Sequence, residues 1–220
     1  CLYRPVLGAP TTVCTGREAD AGDLRAQGVP DGRIRVTGDP VLDSPEEADP
    51  AAGRELRVQL GGRPLLFALG AAPDEPEMLA GLCQHLPGNF SGWLLVIEPT
   101  DPADGPALSE RLARFGLAPA RAAADEAISR ATRVYILDDP SPREALLNAA
   151  DWVILGGTWA QGNAAADPRA AATRGKGLLY GPYPHRHRTA IHALWEAGAA
   201  RQAPSANHLL AAMREWLSHP

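Results

Sequence analysis

Short runs of apolar residues punctuate the chain at 11–14, 34–37, 64–69, 93–97, 133–137, 152–155 and 177–180. Most are continuous rather than alternating, the pattern of β-strands buried on both faces of a parallel sheet. Between them the apolar positions change to helical spacing. Met78, Leu82 and Leu86 recur at i, i+4, i+8, and Leu108, Leu112 and Phe115 at i, i+4, i+7. Each set marks one apolar stripe of a helix laid against the sheet. Ile191, Leu194 and Trp195 predict a further helix, and Leu209, Met213, Trp216 and Leu217 a last one. Ser44-Pro45-Glu46-Glu47 and Ser141-Pro142-Arg143-Glu144 read as helix starts, with Ser as the cap, Pro in the first turn and Glu closing a capping box. Strands alternate with helices, so the expected fold class is α/β: a Rossmann-like, three-layer α/β/α domain with a mostly parallel sheet.

A stretch rich in Asp, Glu and Pro at 39–50 interrupts this alternation and reads as a linker. It predicts that residues 1–43 are the tail of a preceding N-terminal domain with its linker, and that residues 44–220 form the Rossmann-like domain. The chain is then expected to be a fragment of a longer protein. No internal repeat is visible.

Composition narrows the function classes. The net charge is −5 over 220 residues, and no block of like charges is present, so the basic face of a nucleic-acid binder is missing. Cys1, Cys14 and Cys83 are odd in number and lack C-x-x-C spacing, which encodes neither a disulfide framework nor a zinc site. They read as small apolar residues in a reducing compartment. The apolar runs fall well short of the ~18 residues of a membrane helix, and the chain opens on no signal peptide, so a soluble protein is expected.

Three segments carry candidate chemistry. Strand 152–155 runs into Gly156-Gly157-Thr158, then Gly162-Asn163, then Asp167-Pro168 at a helix start. Glycines at a strand-to-helix turn let backbone approach a ligand closely, and the helix N-terminus favours an anion or sugar hydroxyls. The same spacing also fits an ordinary αβ loop with Asp167 as N-cap and Pro168 in the first helical position. The pattern is neither G-x-G-x-x-G nor a P-loop, which disfavours dinucleotides and P-loop ATP chemistry. A second loop, 181–188, brings His185, Arg186, His187 and Arg188 to the same edge. Without a neighbouring carboxylate or Cys it reads as an anion-facing or solvated basic loop rather than a metal site. The third segment, Asp138-Asp139-Pro140-Ser141, places acids before a helix N-terminus, where the electrostatic reading outweighs acid–base work. No metal and no cofactor is expected.

Together these segments resemble the Kdo transferases, bacterial glycosyltransferases of GT-B fold that move 3-deoxy-manno-octulosonate from its CMP-activated form onto lipid A precursors. The first stretch of likeness runs from Thr11 through Gly16, Glu18 and Asp20 to Leu24, Gly28 and Val36-Thr37-Gly38-Asp39-Pro40, with Asp43. It is similar to the end of the family's N-terminal domain, and Val-Thr-Gly is its sharpest match. The second comprises Gly156-Gly157-Thr158, Gly162-Asn163, Asp167-Pro168, Gly175-Lys176 and Gly181-Pro182. It resembles the family's Gly-Gly-Ser, Gly-His-Asn, Glu-Pro-Ala, Gly-Lys-Pro and Gly-Pro series. In the family this region embraces the donor nucleotide and the Glu before Pro contacts the ribose. The resemblance gives that place to Asp167, whereas a gapless count back from Lys176 gives it to Ala170.

The resemblance implies that 44–220 is a nucleotide-sugar-binding domain, the C-terminal domain of a GT-B enzyme. Its expected donor-binding residues are Gly156, Gly157, Thr158, Gly162, Asn163, Asp167, Asp138, Ser141, Arg186 and Arg188. The implied partners are a CMP-activated sugar, CMP-Kdo foremost, and a lipid A precursor held by the missing N-terminal domain. That domain also carries the family's catalytic Glu, so this chain alone is expected to be inactive. The full-length protein is expected in the cytoplasm, at the inner face of the bacterial inner membrane.

Two family segments are replaced. Ser-Thr-His after the strand at 64–69 becomes Gly70-Ala71-Ala72-Pro73-Asp74-Glu75, and Pro-Arg-His-Pro-x-Arg after 93–97 becomes Glu98-Pro99-Thr100-Asp101-Pro102. The second exchange sets acids where the family sets cations against the donor phosphate, a repulsion that Arg186 and Arg188 are expected to offset. Two further readings therefore stand beside the transferase: a non-catalytic GT-B-like domain with a decayed donor site, and a GT-B enzyme using a UDP-sugar, sugar epimerases included.

Overall fold

Side chains alternate across a strand, so each continuous apolar run must fill a core on both faces of its sheet at once. A computed structural model of the chain describes residues 11–16, 18–38, 51–85 and 92–218, with Arg186 and residues 216–218 described by backbone alone. The chain divides into two compact units, Cys1–Glu46 and Glu47–Pro220. The linker at 39–50, the predicted helix start at Ser44, and Leu86 lie outside the described residues.

In the first unit, strands β1 (Val13–Thr15) and β2 (Ile34–Val36) pair in parallel, with Val13 opposite Ile34. Helix α1 (Glu18–Ala26) joins them. Among the described residues of this unit, Ala21, Val29 and Ile34 form a buried apolar cluster. Cys14 is exposed here.

The second unit is one seven-stranded sheet. Its strands are β3 (Leu65–Ala71), β4 (Leu94–Pro99), β5 (Ala120–Arg121), β6 (Val134–Ile136), β7 (Trp152–Leu155), β8 (Gly177–Tyr180) and β9 (Ala200–Gln202). The order is β5-β6-β4-β3-β7-β8-β9, and every pairing is parallel. The intervening helices are α2 (Arg54–Gln59), α3 (Pro76–His85), α4 (Gly105–Ala113), α5 (Arg143–Ala149), α6 (Arg169–Ala172), α7 (Arg188–Glu196) and α8 (Ala206–Ser218). Leu66, Ala68, Leu95, Ile97, Ile136 and Ile154 face α3, α4 and α8 in one core. Leu65, Phe67, Leu69, Val96, Val153 and Leu155 face α2, α5, α6 and α7 in the other. The expected three-layer, Rossmann-like architecture is therefore the observed one.

From β3 the chain steps outward to β4 and to the edge strand β5, returns to insert β6 between them, then lays β7, β8 and β9 on the other side. This reversal between β3 and β7 opens a crevice at their carboxyl ends, the place where sheets of this type bind ligands.

Several local expectations change. The edge strands β5 and β9 were not predicted, because two or three residues of mixed polarity carry no periodicity. Phe115 lies beyond the end of α4 and is 36% exposed. Trp195 is 55% exposed and stands beside His192 rather than in the core. The capping box at Ser141 does not form: α5 starts at Arg143 with no side-chain cap. Glu144 instead turns outward to Arg174 at 2.6 Å and Asn148 at 3.0 Å.

The opposite, amino edge of the sheet is gathered by one residue. Arg63, just ahead of β3, donates to the carbonyls of Gly92 and Trp93 at 2.9 Å, of Ser129 at 3.0 Å, and of Thr132. These precede β4 and β6, so one guanidinium fixes the entry of three strands, even though burial lowers its pKa. Replacing Arg63 with Met should cost about 2–4 kcal/mol by leaving several carbonyls without a donor. Urea unfolding should show that loss, and Lys, with its single compact ammonium, should restore only part of it.

Candidate functional site

The ends of β3 and β7 meet backbone to backbone. The Gly156 N–H donates to the Leu69 carbonyl at 2.8 Å, and the Ala166 N–H to the Gly156 carbonyl at 3.1 Å. A Cβ on Gly156 would overlap the Gly70 carbonyl. Gly157 holds a φ of +70°, and a Cβ there would overlap the Ala164 carbonyl. Only glycine satisfies both positions, and the need is internal packing of the loop on the sheet edge.

A buried carboxylate locks this junction. Glu75, 2% exposed in the turn between β3 and α3, accepts through Oε2 from the N–H groups of Ala72 at 2.8 Å and Gly157 at 3.0 Å. Its Oε1 receives a longer contact of 3.4 Å from the Trp159 N–H. Burial pushes the carboxyl pKa up, against the opposing pull of the three N–H groups. Backbone N–H groups converging at a switch point are an anion site. Here the chain's own side chain holds it. The neighbouring Asn163 adds a second tie across the same gap, Nδ2 to Asp74 Oδ1 at 2.7 Å.

Beside the clamp lies a cleft of about 320 Å³ lined by Gly70, Glu98, Thr100, Arg143 and Asp167, with the backbone of 164–166 along one wall. Its charges are paired. Arg143 Nε donates to Glu98 Oε1 at 2.6 Å. Asp167 accepts from Arg169 Nε at 2.8 Å on both oxygens, and from the Arg169 N–H at 3.0 Å in the manner of a helix cap. Arg169 holds the Asp167 carboxyl below the usual range, with a smaller contribution from His187. Glu98, the acid expected to face a phosphate, thus has Arg143 as its ion-pair partner. Asp101 turns to a local task, capping the short turn Pro102–Asp104 through the Ala103 N–H at 2.9 Å.

The expected donor-binding residues divide by this geometry. Asp167 lines the cleft, while Gly156, Gly157 and Asn163 build the clamped loop behind it. Gly162 is a turn residue with a φ of +89°. Thr158 is fully buried, donating to the Leu155 carbonyl and accepting from the Gly181 N–H, both at 2.7 Å, so it staples β7 to β8. Asp138 is also internal, accepting from Arg121 Nε and the Ala123 N–H at 2.8 Å. Thr158 and Asp138 thus both join strand ends through these internal hydrogen bonds. Ser141 is exposed, its N–H on Asp139 Oδ1 at 2.8 Å. Arg188 is an exposed residue at the start of α7, and the Arg186 side chain lies outside the described residues.

Sequence reasoning missed Glu75, Arg143 and Arg169 as site residues. Glu75 meets Gly157 across 82 positions and Glu98 meets Arg143 across 45, so no local spacing could reveal either pair. Among the described residues no group of three or more His, Cys, Asp or Glu could hold a metal ion, and no helix is long and apolar enough to cross a membrane. Cys83 is buried, its thiol pushed up to about 11, which leaves it inert at neutral pH.

No protein-family model and no curated protein matches the sequence. Solved structures do match in fold. The C-terminal CMP-Kdo binding domain of WaaA from Acinetobacter baumannii superposes with a TM-score of 0.71 at 15% identity, covering 76% of this chain and 88% of that domain. A putative UDP-N-acetylglucosamine 2-epimerase from Listeria monocytogenes gives 0.60 at 15% identity over 96% of this chain, and Anabaena HepE in complex with UDP and glucose gives 0.55 at 14% over 95%. The chain spans about half the length of these last two, 52% and 54%. The fold is the Rossmann-like α/β domain shared with GT-B proteins.

Replacing Glu75 with Ala should cost about 2–4 kcal/mol, because three N–H groups lose their buried acceptor. The pH dependence has a defined sign. A carboxyl with a raised folded-state pKa binds its proton more tightly when folded, so its contribution falls as pH rises from the ordinary carboxylate value of about 4 through the raised one. Chemical denaturation of wild type and Glu75→Gln across this window should show the stability difference shrinking as pH rises, and a flat difference would contradict the assignment.

Proposed function

We propose that this chain is the donor-binding half of a GT-B glycosyltransferase similar to the Kdo transferases, and that it holds the nucleotide of a CMP-activated sugar in the cleft at the carboxyl edge of its sheet. One observation carries the reading. The acid that the family resemblance assigns to the ribose, Asp167, is one of the two acids, with Glu98, that line the cleft beside the β3–β7 switch point. A ribose offers two vicinal hydroxyls, and a carboxylate accepts from both with little cost in geometry. The likeness in fold to a domain described as binding CMP-Kdo supports the choice of donor class.

The transfer itself requires a partner domain bearing the acceptor and the general base, since GT-B chemistry takes place between two domains. Within this reading the full protein adds sugar to a lipid A precursor at the inner face of the bacterial inner membrane. The chain contributes donor capture and orientation: the clamped 156–168 loop fixes the cleft wall, and the paired charges keep Asp167 ionised for hydroxyl recognition.

A second reading is favoured by a specific observation. Every carboxylate in the cleft already has a guanidinium partner within the chain, and the switch-point N–H groups are already filled by Glu75. A domain that keeps this fold as a scaffold, with donor binding lost, fits that self-sufficiency. A UDP-sugar enzyme is the third, in line with the neighbours solved with UDP.

Calorimetric titration of the chain with CMP, UMP, UDP and AMP separates the three. The transferase reading expects CMP to bind most tightly and Asp167→Ala to weaken it by about tenfold, the worth of one or two charge-assisted hydrogen bonds. Tighter UDP binding would transfer the reading to a UDP-sugar, and no binding at millimolar nucleotide would leave the scaffold.

A further inference from the structure

The donor's phosphate needs a receptor, and several groups near the cleft are already engaged within the chain. The N–H groups at the switch point are held by Glu75. The Ala166 N–H in the cleft wall is spent on the Gly156 carbonyl. The Thr100 hydroxyl lies against the carbonyls of Gly70 at 3.2 Å and Ala71 at 3.1 Å, so its proton is directed to backbone and its oxygen is left as an acceptor, of no use to a phosphate. Lys176 is bound to the Asn148 carbonyl at 2.7 Å and lies outside the cleft lining. Arg169, which pairs with Asp167, is likewise outside that lining.

Among the described residues lining the cleft, the one cation is Arg143. It stands in the first turn of α5, and its side chain reaches Glu98 at the end of β4. Both side chains are partly open to solvent, 30% for Arg143 and 20% for Glu98. A guanidinium presents five N–H donors in a planar fork that suits carboxylate and phosphate oxygens equally. Glu98 thus presents to Arg143 the same kind of oxygen that a phosphate would.

We propose that Arg143 receives the phosphate of the donor nucleotide, and that Glu98 is its resident counter-ion, competing with the phosphate for the same guanidinium. The proposal rests on the nucleotide-sugar reading above, but its chemistry concerns any phosphoryl anion. It also explains how the chain manages acids after β4: the cation that the resemblance places on that loop comes instead from the start of α5. With Glu98 present, the charge of the pair is balanced and an incoming phosphate meets competition. With Glu98 replaced by Gln, Arg143 loses this counter-ion and is open to a phosphate.

Pyrophosphate is the probe that does not presuppose a nucleotide. Binding is read by backbone-amide NMR titration of wild type, Glu98→Gln, Arg143→Gln and the double variant. The expected result is weak pyrophosphate binding by wild type, about tenfold tighter binding by Glu98→Gln as the competing carboxylate is removed, and none by Arg143→Gln or the double variant. The double variant leaves no unpaired charge, so it controls for folding, as its amide spectrum will show. Unchanged affinity on losing Arg143, or no pyrophosphate binding even by Glu98→Gln, overturns the proposal. Parallel titrations with CMP and cytidine separate this from the reading it rests on. Loss of Arg143 should weaken CMP but leave cytidine unchanged. If neither nucleotide nor nucleoside binds while pyrophosphate still depends on Arg143, the nucleotide-sugar reading fails and the anion site stands.

Discussion

The Glu75 carboxylate is the contact on which the carboxyl edge depends. A parallel sheet with helices on both faces places its crevice where strand order reverses, and that crevice would otherwise expose converging backbone N–H groups. Glu75 spans it, joining the turn after β3 to the loop after β7. The glycines at 156 and 157 follow from this closure, because only a bare backbone fits between the Gly70 and Ala164 carbonyls. The loop continuing to Asp167 is then fixed as one wall of the cleft, with Asn163 adding a second tie to the same turn. A buried charge with three N–H partners is costly to form and more costly to leave unpaired, so it specifies one arrangement of this edge.

The sheet beneath is built on a similar economy of connections. Arg63 gathers the entries of three strands on the amino edge, Thr158 and Asp138 join strand ends on the carboxyl edge, and the apolar runs fill two cores between. Trp93 and Trp152 stack at 5.3 Å where β4 and β7 begin. A strand end, a helix start and the loop after β7 thus bring Glu98, Arg143 and Asp167 around one cleft.

Much of the fold was legible in the sequence. The runs at 152–155 and 177–180 are β7 and β8 to the residue, because continuous apolar segments of four residues flanked by polar or glycine positions leave little alternative. The strands β5 and β9 were not legible, since their pairing is supplied by the sheet and not by their own side chains. The loop with Asp167 was also legible from glycine spacing and family likeness. The Glu75 clamp and the Glu98–Arg143 pair were not: each joins segments distant in sequence, and the local spelling suggested other tasks, a missing motif at Glu75 and a capping box around Arg143. Ser141 shows the cost of local reasoning, because Glu144 finds a better partner in Arg174 than in the start of its own helix.

The central claim is that ligand binding takes place in the cleft while the neighbouring switch-point nest stays sealed. Residue-resolved NMR of the chain on addition of CMP tests it most directly. The account predicts shifts of the amide signals of Gly70, Thr100 and the 164–167 wall, with the amides of Ala72 and Gly157 unmoved. Shifts centred on Ala72 and Gly157, with the cleft wall silent, would show the ligand displacing Glu75 and would contradict it.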